Sequence, residues 1–115
     1  MYSITEQFLT WLTSQGYTAH TYPPKTGNEF VTIERTGGYV ENKIDHPEIA
    51  IQTWAQSEAR AEEMALNIRN ALLLGSLPDG VYRVDVNAGP YPFWDEDTRL
   101  PRYQIVLDCT TYLID

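Results

Sequence analysis

The chain has 115 residues, 43% of them hydrophobic, which is enough to bury a substantial core in one domain over 1–115 and too little for two. Sixteen acidic residues against eight basic ones give a net charge of -8, which opposes adhesion to duplex nucleic acid because neutralising phosphates needs clustered Lys and Arg. The longest uninterrupted apolar run, Ala71–Leu74, is far shorter than the roughly 18 residues of a membrane span, and no basic-then-apolar leader opens the chain, so a soluble product made in the cytoplasm is expected.

Ser3 followed by Glu6 forms a capping-box pair, and Ile4, Phe8, Leu9 and Leu12 recur at helical spacing until Gly16, which predicts an opening helix. Tyr17 to Tyr22 alternates as a short strand, with turn chemistry following in Pro23-Pro24 and Lys25-Thr26-Gly27-Asn28. In Phe30 to Arg35, Val31 and Ile33 fall on one face and Thr32 and Glu34 on the other, as in a sheet with one face toward the core. Thr36-Gly37-Gly38 is expected to break this strand and turn the chain, leaving Tyr39 to Lys43 as a projecting loop before a strand containing Ile49 and Ile51.

Ser57 is a candidate N-cap with Glu58, Glu62 and Glu63 near the positive helix end and Arg69 toward the negative one. Ala61, Met64, Ala65, Ile68, Ala71 and Leu72 follow helical spacing, and Gly75 stands where a left-handed C-terminal cap is expected. After the turn signal Pro78-Asp79-Gly80, Tyr82, Val84 and Val86 alternate with Arg83, Asp85 and Asn87 as a half-buried strand. A final strand over 102–114 puts Tyr103, Ile105, Leu107, Cys109 and Leu113 on one side and Gln104, Asp108 and Thr110 on the other, pairing with its predecessor as a hairpin. The intervening Ala88 to Pro101 is expected to be irregular, and a compact domain rarely keeps so long a connection without a use for it. The pattern predicts an α+β fold, two helices packed on a mostly antiparallel or mixed sheet of about four to five strands.

No catalytic constellation emerges. Asp95, Glu96 and Asp97 lack the alternating ligands, glycine turn and distal carboxylate of a calcium loop, and a solvated acidic loop is expected. His20 and His46 have no partner at metal-ligand spacing, and Cys109, the lone cysteine, lies in an apolar run that predicts a buried thiol. Nucleophile-elbow, phosphate-loop and dinucleotide motifs are missing, so no metal or cofactor is expected and an enzyme is the weakest option. Tyr91, Phe93 and Trp94 cluster beside prolines and acids, where they either fold back over the sheet or bury against another subunit. Arg99 and Arg102 flank the acidic run and offer charge pairing to a neighbouring copy.

The order of helix, strands with Thr-Gly-Gly, Asp45 and Pro47 before Ile49-Ala50-Ile51-Gln52-Thr53-Trp54-Ala55, an alanine-bearing helix and a late Arg102-Tyr103-Gln104-Ile105-Val106-Leu107 strand resembles tail terminator or tail-completion proteins of long-tailed bacteriophages, some of them known as minor capsid proteins. The resemblance implies a structural virion protein of the tail or neck, assembled in the host bacterial cytoplasm. Such a protein forms a hexameric ring that caps the tail tube, stops its polymerisation and offers the head-tail joining surface. Its partners would be further copies of itself, the tail tube protein and a head-closure connector, with DNA passing through the lumen without specific binding. Tyr39, Tyr91, Phe93, Trp94, Asp95 and Arg99 are the expected subunit or partner contacts. Two alternatives share the fold class: a head-closure or adaptor protein of the phage neck, and a small non-catalytic ligand-binding α+β module.

Overall fold

The structure, a computed structural model, describes residues 3–93 and 100–112. The elements run α1 (Ile4–Ser14), β1 (Ala19–His20), β2 (Phe30–Glu41), β3 (Ile44–Trp54), α2 (Glu58–Leu74), β4 (Val81–Pro92) and β5 (Arg102–Tyr112). The strands form one sheet in the order β1-β2-β3-β5-β4, with β1 parallel to β2 and every other neighbour antiparallel. This is the expected α+β arrangement, two helices on a mixed sheet.

Both helices start where a serine hydroxyl takes up a free backbone amide: Ser3 Oγ accepts from Glu6 N at 3.3 Å, and Ser57 Oγ accepts from Arg60 N at 3.1 Å. Helical spacing brings Ile4, Phe8, Trp11 and Leu12 of α1, and Ala61, Met64, Ala65, Ile68 and Leu72 of α2, onto one face of the sheet. There they pack with Val31, Ile33, Ile49, Ile51, Ile105 and Leu107. Two polar contacts fix this layer: Thr53 Oγ1 donates to Ala61 O at 2.7 Å, and Trp11 Nε1 donates to Ser76 O at 3.0 Å, joining α1 to the segment after α2.

Several expectations are corrected. Thr36-Gly37-Gly38 does not turn the chain. Strand β2 runs through it with a register shift between Arg35 and Gly37, and Tyr39 pairs with His46 inside the sheet instead of projecting as a loop. The reversal falls on Asn42 and Lys43, whose φ values of 53° and 63° make the left-handed two-residue hairpin turn. Gly38 is required by close approach: its φ is +125°, and a Cβ there would lie 2.3 Å from His46 O. Gly75 does not form a left-handed cap; its φ is -119°, and glycine is needed because a Cβ would sit 2.8 Å from Ala71 O. The strand expected over Tyr17 to Tyr22 contracts to Ala19–His20. A register shift between Val81 and Arg83 turns Val81 and Val84 inward and leaves Tyr82 exposed. Strand β4 continues through the cis Gly89–Pro90 bond, so Tyr91 lies in a strand opposite Gln104 and not in an irregular connection.

Gly38→Ala is expected to destabilise the fold by about 1–3 kcal/mol, the range for a strained backbone position, whereas Gly37→Ala, with open space and ordinary φ, stays within about 0.5 kcal/mol. Urea unfolding of the pair checks this, and equal midpoints would contradict it.

Candidate functional site

On the sheet face away from the helices, Thr32, Gln52, Gln104 and Tyr91 stand side by side on β2, β3, β5 and β4. Their side chains form a directed chain of hydrogen bonds. Trp54 Nε1 donates to Thr32 Oγ1 at 2.9 Å, Thr32 Oγ1 to Gln52 Oε1 at 2.8 Å, Gln52 Nε2 to Gln104 Oε1 at 2.6 Å, and Gln104 Nε2 to the Tyr91 hydroxyl. Gln52 Nε2 also reaches Glu34 Oε1 at 3.3 Å. Thr32, Gln52 and Gln104 are buried, and among the described residues no buried side-chain nitrogen or oxygen lacks a partner.

At one end of this ladder the face closes on itself. Phe30 stacks on Trp54 with ring centroids 5.3 Å apart, and Leu100 completes a second small core. The Arg102 guanidinium lies 4.7 Å from the Trp54 ring and 4.5 Å from the Phe93 ring, a cation held between two aromatic faces. At the other end the face is open. A groove of about 530 Å³ lies between Tyr39, His46, Glu48, Arg83, Asp85 and Asp108. Tyr39 stacks on His46 at 4.6 Å, His46 Nδ1 lies 3.4 Å from Thr110 Oγ1, and Arg83 pairs with Asp85 at 2.9 Å.

The chemistry of this groove is that of a polar surface. Cys109 lies beneath the groove with its side chain in the helix-side core, and burial pushes its thiol up to about 12, with Asp108 adding to the effect, so it stays protonated and poorly nucleophilic at neutral pH. The protonated thiol is native-like at any pH below its ordinary 9.0, and its contribution to stability drains away as pH rises from there toward about 12. Among the described residues no three His, Cys, Asp or Glu side chains converge on a point fit for a metal ion. Two arginines hold a carboxylate through paired hydrogen bonds: Arg35 of β2 holds Asp45 of β3 at 2.9 and 3.1 Å, and Arg60 grips Glu29 at 2.7 and 3.0 Å, which lowers the Glu29 carboxyl and ties the loop before β2 to α2.

The sheet edges differ from its faces. Strand β1 covers β2 only at Val31 and Thr32, so the remaining edge of β2 has no strand neighbour among the described residues. Its residues from Glu34 to Glu41 are all exposed, including Tyr39 at 60% and Val40 at 57%. Strand β4 is the opposite edge and exposes Tyr82.

The expected contact residues are thus not one patch. Tyr39 sits on the β2 edge at the open end, while Tyr91 in β4 and Phe93 just after it lie at the closed end, both engaged with their own sheet. Trp94, Asp95 and Arg99 lie outside the described residues. The Thr32-Gln52-Gln104 ladder was not visible in the alternation pattern, which assigns these positions to solvent; the only signal is the recurrence of amide and hydroxyl side chains opposite one another. No family model matches the chain, and no curated protein is similar to it.

Gln52→Ala removes the acceptor for Thr32 and the donors for Gln104 and Glu34 at once. It is expected to cost about 1–3 kcal/mol in urea unfolding, the penalty for buried polar groups left unpaired; a change below about 0.5 kcal/mol would contradict the ladder's role.

Proposed function

We propose that this chain is a structural subunit that works by self-association, a tail terminator of a long-tailed bacteriophage whose ring caps the tail tube in the virion. The observation that carries the reading is the bare edge of β2 with exposed Tyr39 and Val40, since an uncovered strand edge bearing apolar side chains is a template for pairing with another chain. The resemblance of Phe30 to Gly38, Asp45 to Ala55, Ala61 to Leu72 and Arg102 to Leu107 to that family supports the same role.

The charge fits the task. A ring of subunits each carrying -8 surrounds its lumen with negative potential, which repels phosphate and lets DNA slide without adhering. The groove carboxylates Glu48, Asp85 and Asp108 face solvent as part of that charge. In this reading the ring ends tube growth by occupying the terminal layer's contacts and presents its far side to the neck, and no bond is made or broken.

Adding the purified protein in substoichiometric amount to polymerising tail tube protein is expected to arrest growth, with rings visible at tube ends by electron microscopy. Tubes of unchanged length with bare ends would overturn the reading. Binding to a portal-side connector with no effect on tubes would assign the chain to the head-closure class instead.

A further inference from the structure

We infer that copies associate head to tail through their sheet edges, the free edge of β2 over residues 34–41 in one copy pairing with the edge of β4 over residues 81–88 in the next. The inference deepens the ring reading and rests on it for closure, but the contact itself follows from three features of the sheet.

The first is direction. Strand β2 is antiparallel to β3, β3 to β5 and β5 to β4, so β2 and β4 run in opposite senses at opposite edges. A second copy placed beside the first in the same orientation brings its β2 alongside β4 as an antiparallel pair, with both helical layers on the same side. The second is length. The β2 edge is bounded by β1 at Thr32 and by the Asn42-Lys43 turn, and the β4 edge by Gly80 and the Gly89–Pro90 bond, where proline removes the ladder donor. The two free stretches match in length, and each carries irregularities of its own, between Arg35 and Gly37 in β2 and between Val81 and Arg83 and between Val86 and Ala88 in β4.

The third is complementarity. Tyr39 and Glu41 share the outer face with Arg83, so face-matched pairing sets the Arg83 guanidinium across from a phenol ring or a carboxylate. Tyr82 and Val40, both exposed, fall at the same end of the seam. Pairing two β2 edges about a two-fold axis sets Glu34 opposite Glu41 twice, like charges in facing positions, which disfavours the symmetric alternative. A heterologous contact of this kind closes into a ring when the rotation between copies allows it.

The test places single cysteines on the two edges, Gly37→Cys and Asp85→Cys, both at exposed outer-face positions, and treats the proteins with a short bismaleimide. Cys109 is buried and protonated and stays silent as an internal control. Mixing the two variants is expected to give crosslinked dimers that neither gives alone, and the double variant a ladder of higher multimers. Crosslinking of either variant by itself, or none in the mixture, overturns the contact. Val40→Lys, a charge on the exposed edge, is expected to weaken association about tenfold or more by light scattering with an unchanged thermal midpoint; unaltered association counts equally against it. Tube capping without mixed crosslinks removes this contact and leaves the ring reading standing, whereas mixed crosslinks in a protein indifferent to tubes keep the contact and remove the terminator.

Discussion

The structure depends on β3 being buried on both faces. From Ile49 to Trp54 every side chain of this strand is covered: Ile49, Ile51 and Thr53 by the helices, and Ala50, Gln52 and Trp54 on the far side by neighbouring strands. The first set is stabilised by apolar burial, the second by a hydrogen-bond ladder that satisfies Gln52 and Gln104 without water. A sheet of this composition would otherwise expose a polar face needing either solvent or a second layer. Here its middle is sealed by its own amides and its near end by Phe30, Trp54 and Arg102.

This arrangement decides where a partner can act. With one face under the helices and the other largely self-satisfied, the places among the described residues still offering unmet backbone hydrogen-bonding capacity are the edges: β4, with no strand beyond it, and β2 past the two residues that β1 covers. Strand β4 carries two prolines beyond Ala88 and register shifts between Val81 and Arg83, Val86 and Ala88, and Ala88 and Tyr91, features that blunt an edge; the stretch from Arg83 to Val86 is the regular part left to receive a strand. The groove at the open end adjoins both edges through Tyr39 and Arg83, so its charges belong to the rim of any such seam.

What the sequence disclosed followed the strength of its local signals. Serine caps and helical spacing located both helices, and alternation located β2, β3, β4 and β5, because these patterns report directly on one buried face. The double glycine was misread because glycine marks either a turn or a close approach, and only the tertiary packing of Gly38 on His46 distinguishes them. Asn42 carried the true turn signal, as asparagine tolerates left-handed backbone. Proline at 90 and 92 argued against a strand, but an edge strand tolerates the missing donors. The ladder was unreadable because it joins residues far apart in the chain, and alternation alone labels all of them exposed. Of the expected contact residues, Tyr39 was singled out as part of a projecting loop, whereas it is exposed within β2 and stacked on His46; Tyr91 was singled out by an absence of periodicity that the extended β4 removes, and Phe93 follows that strand.

A protein that acts through its sheet edges must bury those edges when its copies sit side by side. Hydrogen exchange of the assembled protein against the monomer reads that burial. New amide protection is expected to be confined to residues 34–41 and 81–88 and to appear on both stretches together. Protection that appears on the helices or on one edge alone, with the other exchanging as in the monomer, would contradict it.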